Sequence, residues 1–267
     1  MISILKEICD NKKKVVLKQS SIYSKKELIK KVYNMKKTKG FKKKIDRNFK
    51  ANKISVIAEI KKGSPSKGII KKKFNPVEIV KNYNKGNATC VSILTDEKYF
   101  YGKNEDLINV RNQTNIPILR KDFIISDYQI YESRAIGADC ILLIASILNK
   151  SQILSFTKIA HEIDLDVLIE VHNKEELINA MNLKEILIGI NNRNLKNMEV
   201  NIENSVELSK VVNKNFNFIC ESGIKNLKEI QRLVKYNFKS FLIGEFLMKE
   251  DNPQKILKEI FNMQTNR

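Results

Sequence analysis

The sequence has few of the residues that build metal and redox sites. It contains only two histidines, His161 and His172, and its four cysteines stand singly, at Cys9, Cys90, Cys140 and Cys220. Neither histidine has a partner at the spacing of metal ligands, and a protein zinc site needs three or four side-chain ligands. We therefore expect no metal site. The last three cysteines fall in apolar runs, which indicates buried thiols in a reducing compartment.

Long apolar runs are also missing. The longest largely apolar run, Cys140 to Leu148, is far short of the ~18 residues that a membrane span requires. The N-terminal stretch MISILKEI carries Glu7 inside a broken apolar run and has no basic region before it. It therefore does not resemble a secretory signal. We expect a cytoplasmic protein that does not contact a membrane.

Acidic residues are scarce only at the start of the chain. The net charge is +19, and residues 1–53, called the basic arm, have eighteen basic residues against four acidic ones. A basic excess can indicate nucleic-acid binding. No zinc finger, helix-turn-helix or interleaving of aromatic and basic residues accompanies it, so we expect no nucleic-acid partner. A non-catalytic protein whose basic arm binds nucleic acid is the alternative from a different functional class.

The apolar pattern changes at Ser55. Before it, apolar residues at helical spacing predict two helices, the second opening after Ser24. After it, short β-branched runs alternate with amphipathic segments, as in a βα repeat. Eight strands are predicted, at Ser55–Lys61, Thr89–Leu94, Ile116–Arg120, Cys140–Ile144, Val167–Val171, Ile186–Ile190, Phe216–Cys220 and Ser240–Ile243.

Eight strands, each followed by a helix, predict a (β/α)8 TIM barrel over residues 54–267. The 267 residues suit this fold, which takes typically about 250. Residues 1–53 are predicted to be a helical, lysine-rich extension that packs on the barrel as a lid over its mouth, so that the whole chain is one structural domain. A doubly wound sheet is the alternative, although no G-x-G-x-x-G follows the first strand.

The first predicted strand ends in charged residues. Because side chains alternate along a strand, Glu59 and Lys61 point to the same side. The turn that follows, GSPSKG, carries Ser64, Pro65 and Ser66 between two glycines that allow a ligand to approach closely. A solvated strand end could carry the same two charges, but the turn favours a site.

Unusual polar residues recur at the carboxyl ends of other predicted strands, where TIM barrels carry their active sites. They are Lys121, Glu170, Asn191 with Arg193, and Glu221 with Ser222 and Gly223. Any one of them alone is typical of a solvated strand end. Together with Glu59 and Lys61 of the first strand they occur at the ends of five strands, and this recurrence predicts one active site.

The motifs together resemble a known family. AEIKKGSPSKG resembles the signature of indole-3-glycerol phosphate synthases, and LRKDF, LIEVH, IGINNRNL, ESGI and LIGEFLM are similar to the family's successive motifs. The resemblance covers the chain from Ser55, whereas the arm matches only loosely. It implies a decarboxylating carboxy-lyase of tryptophan biosynthesis. The enzyme would convert 1-(2-carboxyphenylamino)-1-deoxyribulose 5-phosphate, without a cofactor, into indole-3-glycerol phosphate, CO2 and water.

The resemblance also implies roles. Lys121 would be the general acid, Glu170 would take part in the proton transfers of dehydration, and Lys61 would either bind the substrate carboxylate or donate a proton. Two lysines at one cavity are expected to lower each other's pKa. The residues that orient these groups or bind substrate would be Glu59, Asn191, Glu221, Pro65, Arg193 and Phe123, although Phe123 could equally be a core residue.

The phosphate is expected at the turns after the last two strands, the usual phosphate site of such barrels. The residues are Ser64, Ser222, Gly223, Gly244 and Glu245, although the glycines could simply make tight turns. Two residues depart from the family pattern. Gly63 stands where many members have a small residue that carries a methyl group, and Phe246 stands where a small hydroxylated residue is common.

A second phosphate-binding barrel, phosphoribosylanthranilate isomerase, is the alternative enzyme. It uses a Cys/Asp pair that this sequence lacks, since Cys9 precedes the barrel and the first strand ends in Glu59 and Lys61. The partner we expect is a phosphorylated small molecule. We expect a monomer, with association with other tryptophan-pathway enzymes left open.

Overall fold

The computed structural model describes residues 4–195, 198–212 and 216–263. At its centre is a closed barrel of parallel strands in the order β1-β10-β9-β8-β7-β6-β5-β4. The barrel strands are β1 (Ser55–Ile60), β4 (Cys90–Leu94), β5 (Ile118–Lys121), β6 (Cys140–Ile144), β7 (Asp166–Val171), β8 (Leu187–Asn191), β9 (Phe218–Glu221) and β10 (Ser240–Ile243). Two short strands, β2 (Gly63–Ser64) and β3 (Gly68–Ile69), pair antiparallel in the loop after β1.

Helices surround the barrel and precede it. The arm contains α1 (Ile4–Ile22), α2 (Lys25–Tyr33) and α3 (Phe41–Lys50). The others are α4 (Pro76–Lys85), α5 (Glu97–Phe100), α6 (Asn104–Arg111), α7 (Asp127–Ala135), α8 (Lys150–Glu162), α9 (Lys174–Met181), α10 (Glu203–Ser209), α11 (Leu227–Lys235), α12 (Glu245–Lys249) and α13 (Pro253–Phe261). Across the described ranges, no helix combines the length and the apolar character that a membrane crossing needs.

The predicted TIM barrel is confirmed, but several strand ends differ from the prediction. Lys121, Asn191 and Glu221 are each the last residue of a strand and not the first residue after it, whereas Lys61 lies just beyond β1. The pleat of the sheet therefore sets the direction of the first three side chains. Five helices around the barrel begin at a capping side chain that accepts a backbone N–H of the first turn: Asn75, Ser126, Asn149, Asn173 and Asn226.

Apolar residues alternate with site residues along the inner face of the barrel. Ile57, Leu119, Leu168 and Ile219 form part of one buried cluster inside the barrel. Two residues further along each of these strands come Glu59, Lys121, Glu170 and Glu221. Since side chains two residues apart on a strand share a face, the charged groups lie directly above this apolar floor, at the carboxyl ends of the strands.

The basic arm forms three helices, not the two predicted. Ser24 does cap α2, in a capping box with Glu27. The missed helix, α3, covers the opposite end of the barrel: Phe41 and Ile45 are fully buried, and the backbone N–H of Lys42 donates to Asp166 at the start of β7. Five of the ten residues of α3 are basic and only two are buried and apolar, so the helical spacing of apolar residues was not recognised in the sequence.

Candidate active site

One cavity of about 710 Å³ opens at the carboxyl ends of the barrel strands. Thirteen of the fourteen predicted site residues line it: Glu59, Lys61, Ser64, Pro65, Lys121, Phe123, Glu170, Asn191, Arg193, Ser222, Gly223, Gly244 and Glu245. The fourteenth, Glu221, is fully buried and reaches the cavity only through Lys121. The structure thus brings the predicted residues together, and their individual roles stay predictions.

The cavity floor pairs each of its two lysines with a buried carboxylate. Nζ of Lys121 lies 3.1 Å from Oε2 of Glu221, and Nζ of Lys61 lies 3.1 Å from Oε1 of Glu59. Both carboxylates are nearly or completely removed from solvent. Because a buried charge is costly unless it is paired, each lysine compensates a carboxylate that the barrel would otherwise exclude.

The expected lowering of the lysine pKa is wrong for Lys121. Burial lowers the pKa of its ammonium, but the carboxylates of Glu221, Glu59 and Glu170 together raise that pKa well above its usual range. Three nearby negative charges stabilise the cation more than burial destabilises it. Lys121 is therefore a fully protonated donor at neutral pH.

The carboxyl groups around Lys121 differ in their readiness to hold a proton. Burial and the negative charge of Glu170 raise the pKa of Glu221 to about 7, against the lowering effect of Lys121. Burial also raises the pKa of Glu170, but His172 and Lys121 overcome this and lower it to about 2. The two carboxyl groups that face one lysine thus differ in proton affinity, and Glu221 holds a proton more readily than Glu170 does.

His172 was not predicted as a site residue, because it has no partner at metal-ligand spacing. It lies just beyond β7, and its Nε2 is 3.4 Å from Oε1 of Glu170. The signal that could have found it is its position two residues after Glu170, which places both side chains on the same side of the chain. Within the described residues, no group of three or more histidine, cysteine, aspartate or glutamate side chains is arranged to hold a metal ion.

Two glycines make room for the buried carboxylates. A Cβ atom on Gly189 of β8 would overlap the carboxylate of Glu221, and a Cβ atom on Gly244 would lie 2.5 Å from Oε2 of Glu59. Both carboxylates therefore rest directly against backbone. Gly244 was predicted to bind the phosphate, and the space that it leaves for Glu59 was not recognised from the sequence.

The cavity wall near β9 and β10 consists of tight turns. Ser222 and Gly223 both have positive φ, 63° and 86°, which points successive peptide groups of this turn in directions that a strand does not allow. The carboxylate of Glu245 accepts a hydrogen bond from Nζ of Lys249 at 2.6 Å, so only its backbone N–H suits an anion. Phe246, at the position where the resemblance implies a hydroxyl, also lines the cavity.

The opposite wall of the cavity is apolar. Phe123 and Phe100 pack with their ring centroids 6.0 Å apart, and Leu142 and Ile144 of β6 continue the surface. Three residues of α1 complete it: Ile4, Leu5 and Ile8. Phe100, Leu142 and Ile144 were not predicted as site residues, because an apolar residue of a strand or helix looks the same in the sequence whether it faces the core or a ligand.

Comparisons with known proteins agree on one family. The family profile described as "Indole-3-glycerol phosphate synthase" matches residues 5–260. The curated protein of that name from Polynucleobacter asymbioticus is 46% identical over 228 residues, 85% of either chain. The one from Zymomonas mobilis subsp. pomaceae is 38% identical over 263 residues, 98% of this chain and all of the relative.

Solved structures support the fold alone. The tryptophan synthase α subunit from Legionella pneumophila strain Paris superimposes with a TM-score of 0.60 at 11% identity, over 82% of this chain and 96% of the other. The 3-hexulose-6-phosphate synthase from Salmonella typhimurium gives a TM-score of 0.61 at 10% identity, over 78% and 96%. At such low identity, the likeness shows a shared barrel and nothing about the chemistry of this chain.

The contact between Gly189 and Glu221 predicts a coupled effect on stability. Gly189→Ala should lower the free energy of unfolding by about 1–3 kcal/mol, because the new methyl group overlaps a carboxylate held by Lys121. In a Glu221→Ala background the same substitution should cost less, with a coupling energy of about 0.5–3 kcal/mol. Urea unfolding of the four proteins measures this, and an equal cost in both backgrounds would contradict it.

Proposed function

The chain belongs to the indole-3-glycerol phosphate synthase family, and on that premise we propose that the cavity at its barrel mouth performs the family's ring closure. The chain is thus a decarboxylating carboxy-lyase of tryptophan biosynthesis. Its substrate is 1-(2-carboxyphenylamino)-1-deoxyribulose 5-phosphate, and its products are indole-3-glycerol phosphate, CO2 and water. The observation that carries the proposal is a single cavity with a charged floor between an apolar wall and a wall of tight turns.

Each part of the substrate has a counterpart in the cavity. The aromatic ring fits the apolar wall around Phe123, where burial of its surface is favourable. The phosphate fits the turns after β9 and β10, where backbone N–H groups of Ser222 and Gly223 and the hydroxyl of Ser64 serve as donors. The sugar carbonyl then lies above the charged floor. A cavity of about 710 Å³ is within the usual range for a small-molecule site.

The charged floor supplies the proton transfers. Lys121, buried and protonated, donates a proton to the sugar carbonyl as the aromatic carbon attacks it. Loss of CO2 follows. The new hydroxyl group then takes a second proton, from Lys61 or from reprotonated Lys121, and leaves as water while Glu170 accepts a proton from the ring system. Because Glu221 contacts Lys121 and burial raises the pKa of its carboxyl group, it is placed to return a proton to the lysine.

The remaining site residues position these groups. Lys61 lies at the barrel mouth, where its ammonium group forms an ion pair with Glu59. It either binds the substrate carboxylate or donates a proton. The amide oxygen of Asn191 accepts the backbone N–H of Arg193 at 2.9 Å. The guanidinium of Arg193 in turn reaches the hydroxyl of Ser66 at 3.4 Å, which connects the loop after β8 with the loop after β1. We assign Arg193 to substrate binding at this junction.

We propose that α1 alone is the lid, in place of the whole arm. Its residues Ile4, Leu5 and Ile8 line the cavity. The other two arm helices lie elsewhere, since α2 packs beside α7 and α3 covers the amino ends of the strands. Deleting residues 1–45, the simplest test of a lid, would also remove Phe41 and Ile45 from the core, so a point substitution in α1 is the better test.

A buried ion pair fixes α1 to the strand end that carries Lys121. Nζ of Lys12 lies 2.8 Å from Asp96 and 2.6 Å from Asp122, and all three side chains are buried. Asp122 follows Lys121 in the chain, and its carboxylate also accepts the backbone N–H of Phe123. The position of α1 is therefore linked to that of the proposed general acid and of the aromatic wall.

We further propose that the protein works as a cytoplasmic monomer on its small substrate, without a nucleic-acid partner. Contacts of the arm with the barrel support this, since Lys12, Phe41 and Ile45 all serve packing. The exposed lysines of the arm raise the positive potential near an anionic substrate. Association with other tryptophan-pathway enzymes is compatible with this arrangement.

The assignment of Lys121 is tested by Lys121→Met. We expect wild-type protein to form indole-3-glycerol phosphate, and the variant to lose ~10²–10⁴-fold in kcat because it lacks the proton donor. Calorimetric titration should show that the substrate still binds. Lys158→Met, at a side chain that is 80% exposed on α8, is the matched control and should keep full activity. A Lys121→Met variant within tenfold of wild type would reject Lys121 as the acid.

The lid role of α1 is tested by Lys12→Met against its neighbour Lys13→Met. Loss of Lys12 leaves Asp96 and Asp122 buried without this cation and should lower the free energy of unfolding by about 3–5 kcal/mol. Because the aromatic wall and Lys121 shift with Asp122, kcat/KM should fall by up to ~10²-fold at a temperature where the variant is folded. Lys13 is 65% exposed and pairs with Asp10 at the surface of α1, so its substitution should change neither the free energy of unfolding nor kcat/KM. A folded Lys12→Met variant with wild-type kcat/KM would exclude the lid role.

A further inference from the structure

A histidine and a glutamate stand behind the proposed proton acceptor. The imidazole of His172 lies between two carboxylates, with Nε2 3.4 Å from Oε1 of Glu170 and Nδ1 3.2 Å from Oε2 of Glu176. Only about 12% of the His172 side chain is exposed. The three groups form a chain that runs from the cavity floor to the first turn of α9.

The local structure holds Glu176 in place. Its carboxylate accepts the backbone N–H of His172 at 2.8 Å and the side-chain N–H of Asn173 at 2.7 Å. Asn173 itself caps α9 by accepting the backbone N–H of Glu176 at 3.0 Å. A carboxylate fixed by two N–H donors in this way fixes the rotation of the imidazole that it binds, as carboxylates do for metal-bound and catalytic histidines.

A second contact joins this strand end to the next one. The side-chain amide of Asn204 donates to the backbone carbonyl of His172 at 3.3 Å and to that of Asn191 at 3.2 Å. The loop that carries His172 is thus attached to the strand that carries Asn191, a residue of the cavity floor. His172 is therefore held at its backbone as well as at its ring.

We propose that His172, fixed by Glu176, is a positioning residue that orients the Glu170 carboxylate and keeps it ionised for proton transfer. The proposal rests on the proposed function of the cavity, in which Glu170 accepts a proton, and extends it. His172 does not reach the cavity, so it acts through Glu170 and not on the substrate.

Electrostatics explain why Glu170 needs such a partner. The ionisable groups that face it from other strands of the barrel are Lys121 from β5, Glu221 from β9 and Glu59 from β1, and the neutral amide of Asn191 faces it from the adjacent strand β8. Two of these are carboxyl groups, which favour protonation of Glu170, and burial favours it further. The positive charge of Lys121 is shared among Glu170, Glu221 and Glu59, so it does not compensate Glu170 by itself.

His172 supplies the missing positive charge. Burial lowers the pKa of its imidazolium, but Glu170 and Glu176 raise it to about 10, so that the ring is charged at neutral pH. An imidazolium beside Glu170, and none beside Glu221, decides which of the two carboxyl groups keeps the proton. Without His172, the pKa of Glu170 should rise and the proton should divide between the two.

The charge state of His172 can be observed directly, because the chain has only two histidines. In protein labelled with ¹⁵N-histidine, the ring signals that disappear in His172→Gln belong to His172. We expect those signals to show an imidazolium, with both ring nitrogens protonated, at pH 8. Neutral-imidazole signals for His172 at or below pH 7 would overturn the proposal.

The kinetic consequence is a shift of the acidic limb of the pH profile. In His172→Gln the pKa of Glu170 rises, so the ionised fraction begins to fall at a higher pH as the medium is acidified. The acidic limb of kcat should therefore move up by about one pH unit or more, with KM little changed. His161→Gln, the same substitution at the exposed histidine of α8, should leave the limb in place.

Glu176→Gln refines the test, because it keeps a hydrogen-bond acceptor for the imidazole and removes its charge. It should shift the limb in the same direction but by less than His172→Gln does. If wild-type protein forms no indole-3-glycerol phosphate, the proposed function itself has failed. If wild type is active and His172→Gln keeps the wild-type limb, the positioning role alone is refuted.

Discussion

The structure depends on balanced charge inside the barrel. Three glutamate side chains lie buried at its mouth, and each lies beside a different basic group: Lys61 is 3.1 Å from Glu59, Lys121 is 3.1 Å from Glu221, and His172 is 3.4 Å from Glu170. Burying a carboxylate without a cation nearby costs several kcal/mol of stability. The barrel buries three carboxyl groups at one end, so all three need a basic group close by. Other features follow from this requirement. Gly189 and Gly244 leave room for two of the carboxylates, and the parallel strands bring all six groups to the same end of the barrel.

Such an arrangement of buried charges favours catalysis more than it favours the stability of the fold. In a low-dielectric site, oriented charges act strongly on the transition state and need no reorganisation during the reaction. The same charges are sensitive to their neighbours: burial and Glu170 raise the pKa of Glu221, whereas His172 and Lys121 lower the pKa of Glu170. The apolar wall of the cavity, which includes Ile4, Leu5 and Ile8 of α1, complements this floor. The ion pair of Lys12 with Asp122 fixes α1 to the strand end that carries Lys121.

Much of this arrangement could be predicted from the sequence. Alternation along a strand placed Glu59 and Lys61 on one side, and the recurrence of polar residues at the ends of predicted strands indicated a barrel mouth. Which basic side chain contacts which carboxyl group was harder to predict. That Lys121 contacts Glu221, 100 residues away, depends on barrel closure. The pKa of Lys121 depends on burial and on three surrounding carboxyl groups, and for that reason the expected lowering was wrong. His172 was missed because only metal spacing was considered for it, and α3 was missed because lysines surround its two buried residues.

The most direct test of this balance is the titration of the Lys121 ammonium group. In protein labelled with ¹⁵N-lysine, the Nζ signal absent from Lys121→Met can be followed as the pH is raised. If three carboxyl groups hold this ammonium, its pKa lies above the ordinary value of about 10.4 and the signal keeps its protonated form beyond that pH. A midpoint below the ordinary value would show that burial and the second lysine dominate, and it would contradict the stabilisation of the Lys121 ammonium group by the buried carboxyl groups.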